Sequence, residues 1–87
     1  MDKLTTAIDE IKHELEKATT QHPYWPDDII HQVSIMNEEA GESIRAALNC
    51  VYHGDSFDDI LKELVQTGAM VLRCLINLQE TKQGELF

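Results

Sequence analysis

The chain has 87 residues, enough for one small domain whose single core is only marginally stable alone. Its 16 acidic side chains against 7 Lys and Arg give a formal charge of −9, which argues against a nucleic-acid backbone or an anionic membrane as partner. No apolar run is long enough to span a bilayer, and Met1-Asp2-Lys3 opens no signal-peptide segment, so the expectation is a soluble, cytoplasmic protein with no membrane contact.

The pattern is helical throughout, an all-α chain without a strand signal or an internal repeat. Leu4, Ile8, Ile11 and Leu15 mark an amphipathic first helix over about residues 3–18. Thr19 to Pro26 breaks it, with Pro23 and Pro26 flanking Tyr24 and Trp25. Asp27 or Asp28 is the natural N-cap of a second helix reaching about Asn49, with Ile30, Val33, Ala40, Ile44 and Leu48 as its apolar stripe. Val51 to Asp55, containing Gly54, makes a short connection. Ser56-Phe57-Asp58-Asp59 resembles a capping box and opens a third helix that ends near Gln79. Residues 1–80 then form one helical domain, and 81–87 a flexible tail.

A connection this short predicts antiparallel packing of helices two and three. Cys50 near the loop and Cys74 far up helix three are then on the order of 25 Å apart at about 1.5 Å of rise per residue, too far to pair. Helix three is apolar from Phe57 through Leu61, Leu64, Ala69, Leu72 and Leu75 to Leu78 over more than half its circumference. One core needs a stripe of only about 100°. The surplus predicts burial on two sides, within the protomer and against another chain, hence a homo-dimer or homo-tetramer.

The chemistry concentrates in Glu38-Glu39-Ala40-Gly41-Glu42 and in Glu63. On a helix the three acids of the first run share an arc of about 100°. Glu42 and Glu63 lie at similar distances from the connecting loop, so antiparallel packing brings them level. Carboxylates that converge need a positive guest, and a hard divalent cation such as Mg²⁺ fits oxygen donors. Gly41 and Gly68 inside these helices suggest close helix approach or room for a ligand. The plain alternative is a solvated acidic face, since on helix two the acids lie opposite the apolar stripe.

This EExxE, followed about twenty residues on by an acid, resembles the MazG-like all-α nucleoside triphosphate pyrophosphohydrolases, whose pattern is EExxE, a spacer and ExxD. The Tyr24-Trp25-Pro26-Asp27 stretch and the segments Glu38 to Arg45 and Glu63 to Leu75 share the likeness, over about residues 22–78. The resemblance implies cleavage of a nucleoside triphosphate to monophosphate and pyrophosphate, with Mg²⁺ or Mn²⁺ held by Glu39, Glu42 and Glu63. Glu38 would be a further ligand or would orient the attacking water. It also implies a four-helix-bundle core completed between chains. Gln66 stands where the pattern has its aspartate; an amide contributes no negative charge, which lowers metal affinity. Asp27, Asp28 and Asp59 are candidates to compensate. A nucleotide-binding relative without turnover and a helical interaction module are the alternatives.

Trp25 is a candidate to stack on a base or, equally, to cap a helical core. Arg45 is a candidate phosphate contact, though an ion pair with Glu42 or Glu38 is the more ordinary role. Lys62 and Arg73 share a polar strip with Gln66. His31 and His53 have no visible partner. Gln83, Leu86 and Phe87 resemble a QxxLF peptide of the kind that binds a sliding clamp, against the simpler reading of an unstructured terminus or a last strip of packing.

Overall fold

The computed structural model describes residues 2–84, which form three α-helices: α1 (Lys3–Gln21), α2 (Ile29–His53) and α3 (Phe57–Gly84). No strand occurs among the described residues. Each helix starts on a side-chain cap. Asp2 Oδ1 accepts the Thr5 N–H at 2.7 Å, Asp28 Oδ1 accepts that of His31 at 2.7 Å, and Ser56 Oγ accepts that of Asp58 at 3.1 Å. Asp28 is thus the cap of α2, and Asp27 precedes it.

All three helices run further than their periodicity suggests. Thr19 does not break α1: its hydroxyl donates to the Leu15 carbonyl at 2.8 Å, and the helix closes with His22 N–H on Ala18 O. α2 continues through Val51–His53 and stops at Gly54, whose φ of 72° is the left-handed conformation that a side chain disfavours. α3 passes Gln79, so 80–84 are helical, with Thr81 donating to Asn77 O at 3.0 Å. Leu86 and Phe87 of the clamp-like peptide lie outside the described residues.

α3 is the middle helix. It packs on both α1 and α2, which do not pack on each other. Part of its wide apolar arc is thereby covered within the chain, while Phe57, Leu61, Leu64, Leu75 and Ile76 stay about half exposed or more. At Gly68 the Ile11 side chain of α1 comes in close: a Cβ there would sit 2.9 Å from Ile11 Cδ1. Gly68 serves the α1–α3 contact, and Gly41 has nothing within 4 Å of its missing Cβ.

The orientation of α2 reverses the simple expectation. The face turned to α3 carries Gln32, which is 2% exposed, together with Ile35, Glu39, Ser43 and Ala46. Cys74 Sγ donates to Gln32 O at 3.3 Å, and the Ser43 and Thr67 hydroxyls meet at 2.9 Å. The apolar stripe faces outward, with Ile30 77%, Ile44 59% and Leu48 49% exposed. The interior is small, with Ala69 and Cys74 as its fully buried apolar side chains among the described residues and Pro26 and Arg73 beside them.

Candidate functional site

Glu39 is the centre of the acidic group. It is half-buried on the α3-facing side of α2, where helical periodicity puts it one turn after Ile35 and one turn before Ser43. Burial holds its carboxyl above the usual carboxylate range, and the charges of Glu63, Glu42, Glu38 and Glu14 push the same way. Helices α1, α2 and α3 thus all contribute acids to one field. Glu14 supplies the α1 share.

Two cavities open on either side of this field. The first, of about 340 Å³, is bounded by Glu14, Ala18, Gln21 and His22 from α1 and its end, and by Tyr24 and Trp25 from the linker. Ile35 and Glu39 from α2, with Gln66, Met70 and Arg73 from α3, complete it. The second, of about 160 Å³, is bounded by Glu42, Arg45, Ala46, Asn49, Asp55, Asp59 and Glu63. Among the described residues, no three His, Cys, Asp or Glu side chains converge tightly enough to grip a metal ion. Glu39 lines the first cavity, while Glu42 and Glu63 line the second.

The donor set suits a hard cation. Glu39, Glu42 and Glu63 offer carboxylate oxygens, and Ser43 and Thr67, one turn from Glu39 and Glu63, tie the two helices together. Thr67 hydroxyl bonds to Glu63 O at 2.8 Å, and Ser43 hydroxyl to Glu39 O at 3.3 Å. Asp59 lines the second cavity with Glu42, Glu63 and Asp55, whereas Asp27 and Asp28 line neither cavity. Glu38 is exposed and lines neither cavity; it reaches Glu39 only through its charge. Arg45 Nη1 lies 3.5 Å from Glu42 Oε1, the local ion pair that its spacing suggests, and the guanidinium stays largely in solvent.

Arg73 matters more than its place in a polar strip implies. It is 6% exposed, its carbon Cζ lies 4.5 Å from the Trp25 ring centroid, and its Nη2 donates to His22 O at 2.7 Å and more weakly to Tyr24 O at 3.5 Å. Burial pushes its pKa down. One guanidinium therefore staples the α1–α2 linker to α3 and holds Trp25 in the wall of the first cavity. Trp25 Nε1 is buried without a hydrogen-bond partner, as is Gln32 Oε1.

Glu14 and Arg73 are the residues that sequence reasoning undervalued. Glu14 had a signal: it falls three residues after Ile11 and four before Ala18, inside the face that α1 turns inward. None of the described helices is long and apolar enough to cross a membrane. Comparison with family models, with characterised proteins and with solved structures finds no match for the chain.

Proposed function

We propose that the chain is a Mg²⁺-dependent nucleoside triphosphate pyrophosphohydrolase, of the kind the MazG-like pattern implies, acting on the cytoplasmic nucleotide pool. The observation that carries this reading is the orientation of α2, which turns Glu39 toward α3 while Ile30, Ile44 and Leu48 lie open to solvent. A helix that only needed a solvated acidic face would do the opposite. Turning Glu39 inward among four other acids is unfavourable unless a cation compensates.

Glu39, Glu42 and Glu63 are the ligands in this reading, with Asp59 adding the charge that Gln66 lacks. When bound, Mg²⁺ (or Mn²⁺) supplies positive charge against the triphosphate and the departing pyrophosphate. Glu38, exposed on the same turn, is left to orient water. Arg45 at the rim of the second cavity is the phosphate contact, released from Glu42 when that carboxylate engages the metal.

The finer architecture belongs to the same proposal. The Gln32–Cys74 and Ser43–Thr67 contacts support antiparallel pairing of α2 and α3, since one number rises as the other falls. The chain exposes 6441 Å², against about 5,200 Å² for a compact monomer of its mass. That surplus matches in order of magnitude the ~800 Å² that a standard interface hides on each partner. A second copy covering the outward stripe of α2 completes a four-helix core and makes a homo-dimer or a dimer of dimers.

Pyrophosphate release from a panel of nucleoside triphosphates, with Mg²⁺ and with EDTA, tests the activity. Metal-dependent release that disappears in Glu39→Gln and Glu63→Gln, with the helical spectrum intact, supports it. Release unchanged in both variants refutes the site. A second reading, nucleotide binding without turnover, draws on Gln66: it lines the cavity of Glu39 with an amide where a carboxylate is expected. Its signature is metal-dependent binding with no pyrophosphate.

A further inference from the structure

The first cavity contains a combination that the metal chemistry leaves unused. Arg73 is a buried cation with no carboxylate partner, for the one ion pair among the described residues is Arg45–Glu42. Its Nη2 is occupied by the His22 and Tyr24 carbonyls. The remaining guanidinium N–H groups have no protein acceptor, and they are not among the sealed, unpartnered atoms, which are Trp25 Nε1 and Gln32 Oε1. They therefore keep some exposure, and Arg73 is among the residues that line the cavity. Stacking on the indole fixes the guanidinium plane, so these donors point in a set direction.

The opposite polarity comes from Glu14 and Glu39 on the same cavity. An occupant is thus met by donors at one end and by carboxylates at the other. Gln66 adds an amide able both to donate and to accept, and Ile35, Met70 and Trp25 supply apolar walls. A volume of about 340 Å³ lies at the small end of ligand pockets.

We propose that this cavity seats a nucleobase by an edge that carries a carbonyl oxygen, with Arg73 and Gln66 as the residues that read it. Arg73 has donors only, so it donates to a carbonyl oxygen on the base and rejects an exocyclic amino group at the same place. Uracil, thymine and a 6-oxopurine meet this requirement; adenine, whose exocyclic group is an amine, does not. A site built around a buried donor discriminates strongly, because the wrong ligand leaves that donor unpaired. The proposal rests on the pyrophosphohydrolase reading only for the triphosphate attached to the base.

Free nucleosides in EDTA test it without metal or turnover. Trp25 is the only tryptophan, so its fluorescence reports the cavity wall directly. Inosine and adenosine form the matched pair, differing in the 6-oxo against the 6-amino group, and uridine is the small-ring probe. Inosine and uridine are expected to shift Trp25 emission with affinity at least about tenfold above adenosine, the size of a good side-chain-to-base contact. Arg73→Lys keeps the charge but loses the fork, and should narrow the inosine–adenosine gap. Should that variant lose its helical spectrum, Gln66→Leu replaces it and should weaken both carbonyl-bearing ligands. Equal binding of inosine and adenosine, or no response to any nucleoside at millimolar concentration, overturns the proposal. Base selectivity without pyrophosphate release would leave it standing while the hydrolase reading fell.

Discussion

Ile44 on the outward face of α2 gives the sharpest test of how this chain completes its core. Its side chain is 59% exposed in the single chain. Burying an isoleucine fully is worth about 1.5–3 kcal/mol, so covering the part still open contributes about 1–2 kcal/mol per copy. A symmetric pair buries it twice, which makes Ile44→Ala cost about 2–4 kcal/mol of association, or roughly a 30- to 700-fold weaker dimer. Sedimentation over a concentration series measures this, with circular dichroism confirming that the helices persist. Leu4→Ala is the control, because Leu4 is also open to solvent but lies on α1, away from the stripe. A wild-type protein that stays monomeric at micromolar concentration would refute the reasoning, and so would an Ile44→Ala variant that associates as tightly as its parent.

Glu39→Gln should stabilise the metal-free protein near neutral pH. The folded-state pKa of Glu39 is raised, so its stability contribution is complete below the ordinary carboxylate value and is lost as pH rises through the raised one. The difference in melting temperature between variant and parent should accordingly grow from acid to neutral pH, and a flat difference would count against the crowding. Mg²⁺ should raise the melting temperature of the parent and not of Glu39→Gln, by about 2.7 kcal/mol of stability at a hundredfold excess over the dissociation constant. Gly54→Ala places a Cβ in the left-handed conformation and should cost about 1–2 kcal/mol in urea unfolding. Gly68→Ala should lose in packing against Ile11 about as much as it gains in helix propensity, each near 1 kcal/mol, and trimming the neighbour in Gly68→Ala/Ile11→Val should expose the gain.

Periodicity made the three helices legible, and antiparallel reasoning put Glu42 and Glu63 at one level, where they line the same cavity. What it did not reveal is which way α2 turns. The spacing of Ile30, Val33, Ile44 and Leu48 fixes their angle to the acids about the helix axis, but leaves open which side meets α3. The usual assumption, apolar side inward, fails here: Ile30, Val33, Ile44 and Leu48 are exposed, while Gln32, Ile35, Glu39 and Ser43 face α3. The helix ends were missed for a local reason. Thr19 and Thr81 read as breakers, yet each satisfies its hydroxyl on the carbonyl four residues back and lets the helix continue. The separation of Gln66 from Glu42 and Glu63 into a different cavity was also illegible, since it depends on side-chain directions rather than on position along α3. Arg73 was visible only as part of a polar strip, because its partners are backbone carbonyls at His22 and Tyr24, about fifty residues away and invisible to any spacing rule.

Because α1 and α2 meet only through α3, the chain is held together in series. No residue of α1 is fully buried, and its hold on α3 depends on the Ile11–Gly68 approach and on the Arg73 bond to the linker. Regions held by so few contacts open at lower free energy than the rest of a protein. Amide protons of α1 should therefore exchange with solvent well before those of the facing halves of α2 and α3. Each such opening carries Glu14 away from Glu39 and removes one wall of the larger cavity, so the fraying of one helix also sets how often a ligand can enter or leave.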